Sequence, residues 1–261
     1  MVTKMPKMPV LFVGHGSPMN AIENNAFTQS WKSLPNKIPT PKAILVISAH
    51  WYTKGTRILT AKNPIMTYDM YGFPDALYQI VYDSKGSPEL AAKTANLLDD
   101  IDVIEDNTWG YDHGNWSILH IMYPKRDISV YQLSIDKTLS PEKHFEIGKK
   151  LSSLREEGVL ILSSGNVVHN LRTVNFSMEN GGYKEAILFD QDIKEKIINK
   201  DYDEVINFNK NKTMNKLAFE TPEHYLPLLY SLGATSEEDN VEVFNEAYVY
   251  GSLSMTSYLW N

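Results

Sequence analysis

Residues 10–18, Val-Leu-Phe-Val-Gly-His-Gly-Ser-Pro, join a short apolar run directly to a turn that carries a histidine. A run this short that is apolar on both faces is typical of a buried strand in a parallel sheet. Four more such runs follow along the chain: Ala43–Ile47, Val103–Ile104, Ile128–Leu133 and Val159–Leu162. We therefore expect five buried strands of a mostly parallel sheet.

Helix signals lie between these runs. Ser-Pro-Glu at 87–89 and again at 140–142 places serine at the N-cap and proline in the first turn, which predicts helices to about Leu98 and Leu154. Residues 183–198 repeat apolar side chains near the helical period, and Thr-Pro-Glu at 221–223 predicts a helix to about Tyr230. Residues 199–216 are polar and fit a solvated helix pair or a loop, and residues 241–260 fit closing strands.

Strands that alternate with helices predict an α/β fold, with a central, mostly parallel sheet flanked by helices on both faces. No shift in composition divides the 261 residues, so we expect a single catalytic domain over residues 1–261.

The composition narrows the possible functions. The chain has 32 acidic and 25 basic residues and a net charge of −7, which argues against a nucleic-acid or membrane partner. It has no cysteine, so a metal must be held by histidine, aspartate or glutamate. No stretch approaches eighteen apolar residues, and the first apolar run is too short for a signal peptide. We expect a cytoplasmic protein.

Three of the seven histidines follow predicted strands. His15 follows the first run, His50 follows Ala43–Ile47, and His169 follows Val159–Leu162. Ligand sites of α/β sheets lie beyond the carboxyl ends of the strands, so these imidazoles can converge there. One alone would more often be a structural or solvated residue, but a shared metal is the usual reason for several to cluster.

Two further histidines are candidates for the same crevice. His113 lies in Trp-Gly-Tyr-Asp-His-Gly-Asn-Trp at 109–116, a mixture of aromatic and polar residues that fits a small-molecule pocket or a packed surface loop. His224 and Glu223 lie in the first turn of the predicted helix, where adjacent side chains diverge by about 100°. Only one of the two is expected to be a ligand, and His224 is the better candidate. We interpret His120 as structural and His144 as solvated.

Other catalytic motifs are weak or missing. The sequence contains no phosphate-binding loop, dinucleotide fingerprint or nucleophile elbow. Ser163-Ser164-Gly165 near His169 could suggest a serine hydrolase, but nothing in the sequence supplies its geometry.

Five motifs occur in a fixed order and carry a resemblance to a known family. They are Gly-His-Gly-Ser-Pro at 14–18, Ser-Ala-His-Trp at 48–51, Tyr-Asp-His-Gly-Asn-Trp at 111–116, Ser-Gly-Asn-Val-Val-His-Asn at 164–170 and Thr-Pro-Glu-His-Tyr-Leu-Pro-Leu at 221–228. Together they resemble the class III extradiol ring-cleavage dioxygenases, and within them the 4,5-DOPA extradiol dioxygenase branch.

The resemblance implies a role for each histidine. His15, His50 and His224 correspond to the metal ligands, with Glu223 as the alternative third ligand because distant members use a glutamate. His169 corresponds to a catalytic acid/base that can also bind the metal directly. His113 corresponds to a residue that either lies behind the metal ligands or contacts the substrate. We predict a catalytic and substrate-binding role for it, and we predict that Trp116 binds substrate beside it.

The cofactor expected from this ligand set is one divalent metal per chain. Two histidines and one further ligand leave open positions, as in non-haem iron oxygenases, for a catechol such as DOPA and for O₂. We expect Fe²⁺ to support turnover and Zn²⁺ to be plausible in the isolated protein. Three histidines also describe a catalytic zinc site, so a zinc-dependent hydrolase and a non-catalytic metal-binding protein remain alternatives. The catechol's substituent and the oligomeric state are not readable from the sequence.

Overall fold

The central sheet has eight strands in the computed structural model, which describes residues 6–208 and 217–261. The strand order is β4-β3-β5-β2-β6-β1-β10-β7, and β8 pairs with β9 in a separate ribbon. The strands are β1 (Val10–Gly14), β2 (Ala43–Thr53), β3 (Thr56–Leu59), β4 (Val103–Asp106), β5 (Ser129–Asp136), β6 (Val159–Gly165), β7 (Val241–Phe244), β8 (Tyr248–Val249), β9 (Leu253–Ser254) and β10 (Ser257–Trp260).

The middle of the sheet is parallel. Strand β6 pairs in parallel with β1 on one side and with β2 on the other, and β2 pairs in parallel with β5. The antiparallel pairs β3–β5 and β1–β10 lie outside this group. The carboxyl ends of four neighbouring strands therefore meet at one edge, which is the arrangement that can gather side chains from distant segments.

Helices cover both faces of the sheet. They are α1 (Ala26–Ser33), α2 (Asp75–Tyr78), α3 (Pro88–Leu97), α4 (His113–Met122), α5 (Pro141–Leu151), α6 (Lys184–Ile198), α7 (Tyr202–Ile206) and α8 (Leu226–Ala234). Alternate side chains of β1 pack into the two core layers on opposite faces of the sheet. Val10 and Phe12 belong to the core with α3 and α5–α8. Leu11 and Val13 belong to the core with α1, α2 and α4. This confirms the predicted single-domain α/β fold.

Within residues 6–208 and 217–261, none of the helices combines the length and the apolar character that crossing a bilayer requires. The longest, α6, has 15 residues and carries charged side chains.

Several predicted elements differ in detail. Val103–Ile104 lies in the edge strand β4, where Ile104 is 37% exposed, so the expectation of a strand buried on both faces is wrong there. The helix predicted from residue 221 is a 3₁₀ turn, Pro222–His224, followed by α8. Within the polar segment 199–216, the chain forms the short helix α7. Residues 209–216 lie outside the described part of the chain. Strand β3 and helices α1, α2 and α4 were not predicted.

Candidate metal centre

Five of the seven histidines meet at the carboxyl edge of the parallel strands. His15 directly follows β1, His50 lies near the end of β2, and His169 lies four residues beyond β6. His113 is the first residue of α4, and His224 ends the turn that precedes α8. Ring centroids of neighbouring members are 3.5–5.9 Å apart, from His169–His224 at the short end to His15–His113 at the long end. The structure thus brings together all five histidines that the sequence singled out.

His15 and His50 face each other across the centre of this group. Their Nε2 atoms are 3.2 Å apart. Two nitrogens that each lie about 2.0–2.1 Å from one tetrahedral ion are separated by roughly 3.3 Å. The far side of the His15 ring is anchored, because Nδ1 lies 2.8 Å from the Ser164 hydroxyl on β6. The pair is therefore spaced and oriented like two ligands of one cation.

A carboxylate that the sequence analysis did not identify lies behind two of the rings. Asp69 belongs to the loop between β3 and α2. Its Oδ2 atom lies 3.1 Å from Nδ1 of His50 and 3.0 Å from Nδ1 of His113. The His113 contact is short but is not aligned as a hydrogen bond. The backbone N–H of His113 donates to Oδ1 at 2.8 Å. One ligand atom each from His15, His50 and His113 can be chosen within 4.8 Å of one another.

The His224 ring adjoins the pair of His15 and His50, with its centroid 5.3 Å from that of His15 and 5.1 Å from that of His50. Its ring stacks on that of His169, with centroids 3.5 Å apart and planes 3° apart. Its Nδ1 lies 3.3 Å from Glu223 Oε1, and its Nε2 is buried with no hydrogen-bond partner. A buried ring nitrogen left unpaired costs about 1–3 kcal/mol, so its retention calls for a ligand that it can bind.

The protonation states suit a cation. Burial lowers the pKa of His15 and of His224 well below the usual histidine value, and it lowers the pKa of His169 to about 3. Burial alone would raise the pKa of Asp69, but its contacts with two imidazoles hold that pKa below its usual range. At neutral pH the rings are therefore neutral and the carboxylate is charged, as metal binding requires.

A second buried carboxylate, Asp112, organises hydrogen bonds next to His50. Asp112 accepts hydrogen bonds from the Ser48 hydroxyl at 2.6 Å and from the Gln132 amide at 2.9 Å. Gly114 lies beside this network, and a Cβ there would lie 2.9 Å from Cδ2 of His50 and would overlap the Ser48 hydroxyl. The glycine of the Asp-His-Gly motif therefore lets the His50 ring pack against the start of α4.

These residues fit a divalent metal ion. Imidazole nitrogens suit iron and zinc, and a three-histidine set leaves coordination positions open. In the described part of the chain, ligand atoms of His15, His50 and His113 form the one group that lies within 4.8 Å of one another. The predicted set of His15, His50 and His224 shares two members with this group and differs in the third. The His224 ring centroid lies 5.3 Å from that of His15 and 5.1 Å from that of His50. Glu223 Oε1 instead faces the Nδ1 atom of His224, which is the position of a partner to a ligand.

Trp116 and the four arginines, which are candidates for binding substrate, make their polar contacts with other protein groups. Trp116 is fully buried, and its indole N–H donates to the Thr67 carbonyl at 3.2 Å, so its polar contact is with the protein. A substrate contact by Trp116 stays a prediction. Each of the four arginines pairs with a carboxylate: Arg57 with Asp106, Arg126 with Asp83, Arg155 with Asp239 and Arg172 with Glu220.

The two histidines outside the cluster have ordinary surroundings. His120 is half-buried on α4. His144 is fully buried, and its Nδ1 lies 2.9 Å from the Tyr230 hydroxyl, so the prediction that it is solvated is wrong. Helix α5 turns this residue toward α8, which the period of the helix alone did not indicate.

Sequence reasoning missed three supporting residues. Ser164 and Asp112 lie inside two of the motifs that carry the resemblance, but their contacts with other segments were not inferred. Asp69 lies in Tyr-Asp-Met-Tyr-Gly-Phe at 68–73, where its only signal is a single acidic residue among aromatic ones.

Comparisons with known proteins agree with this geometry. Residues 3–260 match the family described as the catalytic LigB subunit of aromatic ring-opening dioxygenase. The chain is 44% identical over 255 residues to a 4,5-DOPA dioxygenase extradiol of Escherichia coli K12, covering 96% of this chain and 94% of that protein. It is 37% identical to the protein of the same name from Beta vulgaris, covering 95% and 94%. The crystal structure of an uncharacterised E. coli K12 protein superposes with a TM-score of 0.86 at 41% identity, covering 97% of this chain and all of that one.

Proposed function

The chain belongs to the LigB family of catalytic subunits of aromatic ring-opening dioxygenases, and on that premise we propose that it opens the ring of a catechol such as DOPA. The chain is an enzyme of extradiol cleavage, in which the ring bond beside the two hydroxyl groups breaks. Both atoms of O₂ enter the product, so the reaction needs no external reductant. The substrate class is supported by the names of the bacterial and plant relatives.

The observation that carries the proposal is the unpaired histidine nitrogen at the carboxyl edge. Nε2 of His224 is buried without a partner, and Nε2 of His15 and His50 face each other at 3.2 Å. We propose that these three residues hold one divalent metal ion. The ion, when bound, supplies the redox chemistry that lets O₂ react with an aromatic ring. We assign that role to Fe²⁺ and expect Zn²⁺ to displace it during isolation, as the Irving–Williams order indicates.

We assign the proton transfers to His169. Its ring stacks on that of His224 beside the proposed metal site, and an imidazole in this position can accept a proton from a catechol hydroxyl and return it later. His169 could also bind the metal directly, since the stacked rings place it at the edge of the same space.

We place the substrate on the side of His113. Its ring lies 3.7 Å from that of His50 and is fixed from behind by Asp69, so a catechol that approaches the centre there meets an imidazole of defined orientation. Trp116 follows one turn later on α4 and is proposed to shape the same side. The acidic net charge supports a small-molecule substrate rather than a nucleic-acid or membrane partner. A cytoplasmic location stays a prediction from the sequence.

An oxygen-consumption assay tests the proposal. Metal-free protein is loaded anaerobically with Fe²⁺, mixed with L-DOPA and exposed to a known amount of O₂. We expect one O₂ consumed per catechol and a yellow ring-opened semialdehyde. Zn²⁺-loaded protein is the matched control and should consume no O₂.

Two results would contradict it. A colourless dicarboxylic product would show cleavage between the hydroxyl groups. Hydrolysis of an ester or amide by the zinc form, without any oxygen consumption by the iron form, would favour the metal-dependent hydrolase.

A further inference from the structure

We infer that Asp69 is a positioning residue that holds His50 and His113 in the same tautomer, with the proton on Nδ1 and the lone pair of Nε2 directed into the site. This inference rests on the proposed function, since it concerns the same metal centre.

Asp69 is built into the site rather than placed at its rim. Its side chain is 15% exposed, and one oxygen, Oδ2, faces both Nδ1 atoms at 3.0–3.1 Å. The other oxygen accepts the backbone N–H of His113 at 2.8 Å. This second contact ties the loop before α2 to the first turn of α4. The carboxylate position is therefore fixed independently of the two rings.

The chemistry of a carboxylate decides the tautomer. An ionised carboxylate only accepts hydrogen bonds, so an unprotonated Nδ1 at 3.0 Å would bring two lone pairs together. The Nδ1–H form replaces that repulsion with an attraction to the carboxylate charge. For His113 this is an electrostatic contact at 3.0 Å and not an aligned hydrogen bond. A neutral imidazole has only one N–H, so Nε2 of His50 and of His113 then carries the lone pair. Nε2 of His50 is the atom that faces His15.

One carboxylate thus links two rings to which the sequence resemblance gives different roles. His50 is a proposed metal ligand and His113 a proposed substrate contact. By comparison, Nδ1 of His15 contacts the Ser164 hydroxyl, which can either donate or accept and so leaves the tautomer free. Asp69 therefore acts on the half of the site where metal and substrate meet.

Asp69→Asn is the informative substitution. It keeps the shape but offers one acceptor and one donor, so the two rings can no longer share a carboxylate oxygen. At least one ring should move its proton to Nε2 and lose its ligating lone pair. Loss of an outer partner of a metal ligand costs about 10–100-fold in metal affinity.

Asp106→Asn is the matched control. This carboxylate also organises a loop before α4, through the backbone N–H groups of Thr108 and Trp109 at 2.8 and 3.0 Å and through Arg57 at 3.1 Å. None of these partners is an imidazole. The substitution perturbs the neighbouring loop but leaves the contacts of Asp69 with His50 and His113 in place.

The test is long-range ¹H–¹⁵N spectroscopy of the metal-free protein, combined with titration by Zn²⁺ alone. In the wild-type protein, His50 and His113 should both show the Nδ1–H pattern. In Asp69→Asn at least one should show the Nε2–H pattern, with Zn²⁺ affinity about 10–100-fold weaker, while Asp106→Asn should match wild type in both.

An Nε2–H pattern for either histidine in the wild-type protein would overturn the inference even if the variant does not fold. Unchanged tautomers or unchanged Zn²⁺ affinity in folded Asp69→Asn would also overturn it. Neither measurement depends on catechol cleavage, so a failure of the proposed reaction would be seen separately.

Discussion

Polar side chains are buried at both ends of the parallel sheet, but their hydrogen-bonding groups are satisfied in opposite ways. At the amino end, the guanidinium of Arg155 is 1% exposed, and each of its nitrogens has a partner. Nε donates to the Met8 carbonyl at 2.6 Å, Nη1 to the Ala234 carbonyl at 2.9 Å and to Asp239, and Nη2 to Asp239 at 3.0 Å. Contacts of this kind hold together the starts of β1, β6 and β7.

At the carboxyl end, buried nitrogens lack partners or face one another. His224 Nε2 has no hydrogen-bond partner, and His15 Nε2 faces His50 Nε2. At the amino end, buried polar groups are tolerated because other protein groups pair with them. At the carboxyl end, the protein leaves imidazole nitrogens available to bind a metal ion. The difference separates what stabilises this fold from what the fold is used for.

The largest effect should come from His15→Ala. It removes a nitrogen that belongs both to the predicted ligand set and to the closely spaced group of His15, His50 and His113. Metal retention should therefore fall by more than the about 10–100-fold expected for an outer partner. Ring cleavage should be abolished. Metal content after gel filtration, together with the oxygen assay, measures both effects. The variant also loses the buried contact with Ser164, but the free energy of unfolding should fall less than in Arg155→Met, because no buried charge is left without its partner.

His169→Ala should separate chemistry from metal binding. The variant should retain the metal, while turnover falls by about 10²–10⁴-fold, the usual contribution of a positioned acid/base. Metal analysis and steady-state kinetics of the iron-loaded variant decide this. If His15→Ala and His169→Ala kept equal amounts of metal, the proposed division of roles would be refuted.

Arg155→Met probes the other end of the sheet. Removing one partner of a buried ion pair costs about 3–5 kcal/mol, because Asp239 would remain charged and buried. Urea denaturation should show this loss in the free energy of unfolding. The kcat of the folded fraction should equal that of the wild type, and a reduced kcat would mean that the two ends are not independent.

Adjacent serines on β6 give a finer contrast. Ser164→Ala removes the group next to Nδ1 of His15 and should weaken Zn²⁺ binding by about 10–100-fold. Ser163→Ala is the control, because the Ser163 hydroxyl is equally buried but has no hydrogen-bond partner. Isothermal titration of both metal-free variants compares them. Equal affinities would show that the Ser164 contact does not support the ligand.

The sequence predicts the part of the site that follows from strand ends. His15, His50 and His169 each come after an apolar run, and parallel strands carry their carboxyl ends to one edge. The fold class followed from the same runs. Burial of Val103–Ile104 was overestimated because an apolar pair does not reveal whether its strand lies at the centre or at the edge of the sheet.

Contacts between loops and side chains could not be predicted in this way. Asp69 reaches two histidines because of the path of residues 60–74, which no periodic pattern encodes. His144 is buried because α5 and α8 approach closely at Gly148 and Gly233, where a Cβ on Gly148 would lie 3.0 Å from Cα of Gly233. Such approaches depend on tertiary packing, and the spacing of apolar residues in one helix does not contain them.

The most direct test of the metal centre is a crystal structure of the protein loaded anaerobically with Fe²⁺ and a catechol. We predict one ion with Nε2 of His15, His50 and His224 about 2.0–2.2 Å away and with both catechol oxygens in positions that the protein leaves open. The ring of His113 should lie against the substrate, held from behind by Asp69. An ion bound elsewhere, or one whose coordination shell is filled by protein atoms, would contradict the account.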